Sequence, residues 1–118
     1  MCLSKVKPIP VPKNGVGWKV FDQRKDGTLM SLGGSGERKI GVQYKSDLGG
    51  EFGFHIFPHR EDAVRLVLEI PRLQQYIPVM RKVKFEGVSC TGVGDGFGHP
   101  RCPVIVAQVM TILPEEVD

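Results

Sequence analysis

No apolar run in this 118-residue chain approaches the length needed to cross a bilayer, and no apolar segment of the kind found in a secretory leader opens it. Cysteine is scarce: Cys2, Cys90 and Cys102 make an odd number, with no C-x-x-C pair. A disulfide framework is therefore not expected, and the chain reads as a soluble protein of a reducing compartment, the cytoplasm. There is no internal repeat and no composition break that would mark a second domain. A phosphate loop is also missing. In Gly92-Val93-Gly94-Asp95-Gly96-Phe97-Gly98 the pattern G-x-G-x-x-G is interrupted by Phe97 counted from Gly92, and by His99 counted from Gly94. The G-K-[ST] ending is lacking, and a strand follows where a helix N-terminus would be needed to receive an anion. The signatures of RRM, KH and cold-shock domains are absent too.

What the chain does have is glycine (15) and proline (9), about a fifth of all residues and more than average usage. That favours short strands and many turns over a helical bundle. A hydrophobic content of 41% and a charged content of 25% are ordinary for a folded domain. A chain of this length can bury ~65% of its unfolded surface in one core. The net charge of +3 is unevenly spread. Residues 1–45 hold nine cations against Asp22, Asp26 and Glu37, whereas residues 46–118 hold seven against ten acids. A solvated face is the simplest account of that bias; an acidic partner, an anionic ligand or nucleic acid is the sharper one.

The stretch that organises the rest is Gly53-Phe54-His55-Ile56-Phe57-Pro58-His59-Arg60-Glu61-Asp62-Ala63-Val64. Phe54 and Ile56 alternate with His55 and Phe57 as in a strand, Pro58 ends it, and Glu61 and Asp62 suit the first turn of a helix. Ala63, Val64, Val67 and Leu68, with Ile70, predict the buried stripe of that helix, and Pro71 ends it. Upstream, the prolines at positions 8, 10 and 12 predict a loosely held arm over residues 1–14, with an edge strand as the alternative. Gly15 to Phe21 predicts a strand with Val16, Trp18 and Val20 on one face and Lys19 on the other. Lys25-Asp26-Gly27 predicts a hairpin turn, and Thr28 to Leu32 the return. Gly33 to Lys39 predicts a flexible loop, and Ile40, Val42 and Tyr44 a short strand. Downstream, Val79 to Val88 predicts a strand with Lys82, Lys84 and Glu86 on a wet face. Cys90 to Pro103 predicts a glycine-rich loop. Val104 to Leu113, apolar on both faces, predicts the innermost strand. The fold class is α+β: one domain with an arm (1–14), a core (15–113) and a tail (114–118). Its mostly antiparallel, curved sheet of five to six strands carries one main helix.

Chemistry is less legible. His55, His59, Cys90, His99 and Cys102 are metal-ligand types, and His99-x-x-Cys102 is a local pair. Pro58 breaks the strand geometry that would align His55 with His59, and cysteine commonly serves as a small buried hydrophobe. No metal and no cofactor are expected. Nucleophilic catalysis needs a base beside a nucleophile; nothing places His55 next to Cys90 or Ser89, and a structural histidine is the simpler reading. Glu61 and Asp62 are explained by their helical turn. Trp18, Lys19, Arg24, Lys25, Arg38, Lys39 and Lys45 could form one basic, aromatic strand face of the kind that holds single-stranded nucleic acid. Phe97 is an aromatic at a loop tip, a contact for a partner.

The order Gly17-Trp18-Lys19-Val20-Phe21, Leu29-Met30-Ser31-Leu32, Gly53-Phe54-His55-Ile56-Phe57, Glu61-Asp62-Ala63 and Lys82-Val83-Lys84-Phe85-Glu86-Gly87-Val88 over residues 15–113 resembles small uncharacterised proteins of bacteria, phages and mobile gene cassettes. That resemblance implies an α+β fold and transfers no activity. The functional expectation is a non-enzymatic binding or interaction protein, with Trp18, Lys19, Arg24, His55, Phe97 and His99 as ligand or partner residues. The alternatives are a small-molecule or metal-dependent enzyme with a pocket around His55, Cys90 and His99, and a single-strand nucleic-acid binder using the N-terminal hairpin. An exposed arm and short sheet edges make a homodimer a further expectation, and no membrane partner is expected.

Overall fold

The computed structural model describes residues 3–6, 12–31, 36–46, 53–69, 76–96 and 99–114, with backbone alone at 3–6, 93–96 and 99–101. The junction at Pro58 is as the sequence predicts. Strand β6 (Phe54–Ile56) ends just before the proline, and helix α1 (Arg60–Glu69) opens two residues after it with Glu61 and Asp62 in its first turn. The helix is rotated from the expected stripe. Ala63 and Leu66 are buried and Val67 packs beside them, whereas Leu68 is 80% exposed. At 3.6 residues per turn, 63, 66 and 67 share one side and 68 falls well round the cylinder. Ile70 and Pro71 lie outside the described residues.

The other elements are β1 (Leu3–Val6), β2 (Gly15–Arg24), β3 (Leu29–Ser31), β4 (Glu37–Arg38), β5 (Gln43–Lys45), β7 (Tyr76–Gly96) and β8 (His99–Ile112). They form one antiparallel sheet in the order β4-β3-β2-β7-β8-β5; β1 also pairs with β7, and β6 with β8. The β2–β3 hairpin turns where Gly27 supplies a φ of 91°, with the Gly27 and Arg24 N–H groups bonded to the Arg24 and Thr28 carbonyls, each at 2.9 Å. Strand β8 lies inside the sheet with neighbours on both sides, as expected, although β2 and β7 hold the middle of the order. Val104, Ile105, Val106, Ala107, Met110 and Ile112 are all buried, with β7 on one flank and β5 and β6 on the other.

Four expectations need correction. The segment from Cys90 to Pro103 is no loop in its described part: β7 runs on to Gly96 and β8 starts at His99, so the two strands make one long hairpin. Its prolines, Pro100 and Pro103, sit where β8 has no described strand on its far side, and a register shift between Gly94 and Asp95 absorbs the irregularity. The arm is not wholly loose, because Leu3–Val6 pairs with Gly92–Gly94; residues 7–11 lie outside the described residues. Part of the expected loop at 33–39 is strand, since Glu37 and Arg38 pair with Met30 and Leu29. The strand expected from Ile40 is broken by Gly41 at φ 81°, so Ile40 makes a single parallel bridge to Ile112 and β5 starts at Gln43.

Two apolar clusters form on opposite faces of this sheet. Inside the curl, Phe21, Ile56, Val83, Phe85, Ile105, Met110 and Ile112 pack with Tyr44 and Phe54 at the margin. Between the outer face and α1, Val20, Phe57, Ala63, Leu66 and Val104 pack with Trp18, Met80 and Cys102 alongside. The curl is shut at one level, because Phe57 bridges back to Trp18 of β2 while β6 pairs with β8.

Candidate binding site

Residue alternation along β2 separates side chains that the sequence groups together. Trp18 goes to the helix side with Val20, while Lys19 goes with Phe21 into the curl. The expected single basic face of the N-terminal hairpin is therefore not built. Trp18 lies on one face, Lys19 and Arg38 meet inside the seam between the sheet edges, and Arg24 and Lys25 project at the hairpin end.

On the helix side, Trp18, Arg60, Met80, Arg81, Lys82, Leu113 and Pro114 wall a hollow of about 310 Å³. Each arrives for a local reason. The register of β2 on β7 sets Trp18 opposite Lys82 and Val20 opposite Met80. The Trp18–Phe57 bridge carries the short Pro58-His59 link, and with it Arg60 at the start of α1, to the same place. Leu113 is tied down where its N–H donates to the Lys82 carbonyl at 3.0 Å, and Arg81 Nη2 donates to the Leu113 carbonyl at 3.4 Å. Arg81 is only 8% exposed, and the register that sets it opposite Lys19 turns its side chain toward the curl. Arg60, Lys82 and an indole thus share one concavity with no carboxylate among its described lining residues, and Lys82 takes part in a further interaction. Such a wall raises the local concentration of anions. Sequence reading had found Trp18 and the wet position of Lys82; Arg60 and Arg81 were missed, and only the strand-to-helix junction and the β2–β7 register could have revealed them.

A second basic group lies in the seam. Lys19 Nζ donates to the His55 carbonyl at 3.1 Å, and Arg38 Nε donates to Ser31 Oγ at 3.1 Å. The Arg38 guanidinium sits 4.7 Å from the Tyr44 ring centroid and 5.7 Å from that of Phe54, and the Lys19 ammonium 6.0 Å from Phe21. Ring faces take the role a carboxylate would otherwise have. Burial, with Arg38 as a second cause, pushes the Lys19 ammonium down to about 8.

His55 is half-buried, and its Nε2 is enclosed with no hydrogen-bond partner. Burial first, then the Lys19 charge, lowers its pKa to about 4, so the imidazole is neutral at physiological pH. The register sets His55 opposite Val106 and Val106 opposite Cys90, which leaves His55 and Cys90 two strands apart, about 10 Å. His99 lies seven residues along β8 from Val106, roughly 20 Å away on an extended strand. The backbone thus does not bring His55, Cys90 and His99 to one pocket. Cys90 and Cys102 are both partly buried. No cluster of three metal-ligand side chains occurs among the described residues.

Of the remaining expected site residues, Arg24 lines a separate hollow of about 380 Å³ with Lys25, Asp26 and Tyr76 at the β2–β3 turn. His99 is placed by backbone only, opposite Gly96, and Phe97 lies outside the described residues. No helix among the described residues is long and apolar enough to cross a membrane. No family model matches the chain, and comparison with curated proteins and with solved structures gives no significant match.

Proposed function

We propose that this protein is a non-enzymatic binding protein of the cytoplasm that takes a small anionic ligand in the hollow beside Trp18. One observation carries this reading: Arg60 and Lys82, both at exposed positions, stand with Trp18 on one concavity that has no acid among its described lining residues. A concave wall that carries positive side chains raises the local concentration of anions. A hollow of about 310 Å³ sits at the small end of ligand-binding pockets. The resemblance to small proteins of mobile elements adds no activity to this reading.

The chain has a single tryptophan, Trp18, and it stands in the wall, so its intrinsic fluorescence reports occupancy directly. Titration with inorganic pyrophosphate at low ionic strength is expected to give a saturable change that weakens as salt is added. Arg60→Ala and Lys82→Ala, both at exposed positions, are expected to weaken binding at least severalfold while the far-ultraviolet circular dichroism stays unchanged. A flat titration, or binding that is equally strong in the double variant, removes the reading.

A further inference from the structure

On the face of β2 opposite Trp18, and independently of the hollow there, we infer a second site: Arg38 and Lys19 hold the carboxylate of a small organic acid with an apolar body. Side chains tie two edges of the sheet together at this seam. Arg38 reaches from β4 to the rings of Tyr44 on β5 and Phe54 on β6, and Lys19 reaches from β2 to the His55 carbonyl of β6. Register brings the two cations to one face. Phe21 pairs with Ser31 and Leu29 with Arg38, so Ser31 and Arg38 project into the curl with Phe21, Leu29 and Lys19. Among the described residues the partners of both cations are uncharged: the His55 carbonyl and Phe21 ring for Lys19, Ser31 Oγ and two rings for Arg38. Arg38 gives its Nε–H to Ser31, which leaves the Nη groups as its remaining donors, and the Lys19 ammonium uses one of its three on His55. A guanidinium anchored at Nε and flanked by rings is pre-organised for a two-pronged hold on a carboxylate. Burial disfavours the Lys19 charge, as does Arg38, and a bound carboxylate counters both. Lys19, Ser31, Arg38, Tyr44 and Phe54 are all half-buried, and the surface each keeps in solvent gives a ligand access. The rings decide the ligand class. An apolar body lies against Tyr44 and Phe54, whereas phosphate loses more hydration on entering and gains nothing from them. Arg81 stands opposite Lys19 on the same face, but the Leu113 carbonyl and a further interaction engage it, so it is not assigned to the site.

The test is calorimetric titration of the intact protein at pH 7 with benzoate, acetate and inorganic phosphate. Benzoate is expected to bind saturably and about tenfold more tightly than acetate, the gain being that of its ring against Tyr44 and Phe54. Arg38→Lys keeps the charge and removes the fork, and Lys19→Met removes the charge; each is expected to weaken benzoate by about tenfold. A flat benzoate titration, or benzoate binding that persists unchanged in both variants, overturns the site. Acetate or phosphate binding as tightly as benzoate overturns the ligand class. Should Arg38→Lys not fold, nuclear magnetic resonance of the wild-type protein decides the matter. Benzoate in the seam shifts the Arg38 Nε proton and the Tyr44 ring resonances together, and bound benzoate without those shifts contradicts the proposal.

Discussion

Trp18 and Phe57 exchange both of their backbone hydrogen bonds, Trp18 N–H to the Phe57 carbonyl at 2.9 Å and Phe57 N–H to the Trp18 carbonyl at 2.7 Å. This pair closes the curl of the sheet and, three residues later, delivers Arg60 to the hollow. The closure needs a close approach, and Gly17 provides it. A Cβ there would stand 2.5 Å from Ile56 Cγ2 and 2.9 Å from the Phe57 carbonyl oxygen. Gly17→Ala must therefore push β6 off β2, with an expected loss of about 1–3 kcal/mol in urea unfolding. It should also weaken ligand binding through the displaced Arg60. A variant as stable as the wild type would mean that the bridge is not closed in solution.

Lys19 makes a pH-dependent contribution of predictable sign. Its folded-state pKa, about 8, lies below the 10.5 of the unfolded chain, so between those values the unfolded state holds more protons. Stability from this group therefore rises with pH across that window, and the full cost of burying the charge is felt below pH 8. Lys19→Met, which removes the charge and keeps an apolar stem beside Phe21, is expected to be more stable than wild type at pH 7. The difference should shrink towards pH 10.5 in matched denaturant titrations. A gap that stays constant with pH would show that Lys19 is solvated.

His55 acts over a different range. With a folded pKa of about 4 against 6.5 in the unfolded chain, protons again bind preferentially to the unfolded state. Stability is full above pH 6.5 and is lost as pH falls towards 4. The ring protons of His55 should titrate near 4 by nuclear magnetic resonance, and His55→Gln should flatten the acid limb of the stability profile. A midpoint above 6 would place the imidazole in water.

The rotation of α1 separates two leucines two residues apart. Leu66 is 3% exposed against Val20 and Phe57, whereas Leu68 is 80% exposed. Leu66→Ala should cost about 2–5 kcal/mol, and Leu68→Ala less than about 0.5 kcal/mol. Thermal or urea unfolding of the two variants distinguishes this packing from one in which 63, 64, 67 and 68 face the sheet; equal losses would require the helix to be turned.

Local chemistry in the sequence determined the parts of the fold that depend on neighbours in the chain. Pro58 ends a strand because it cannot donate and fixes φ, the acids at 61 and 62 suit a helix start, Gly27 allows its turn, and apolar residues at every position of 104–107 leave no wet face for β8. Tertiary structure decided what depends on distant partners. Glycines and prolines in 90–103 resemble breakers taken alone, yet pairing with β1 and β8 holds this part of β7 extended, and the prolines lie where β8 has no second partner among the described residues. The cations of the N-terminal half were visible as a charge excess, but the curl of the sheet sent Lys19 and Arg38 inward and left Trp18 to meet Arg60 and Lys82 from elsewhere in the chain. Hydrogen-bond register between strands far apart in sequence sets those meetings, and no local propensity encodes it.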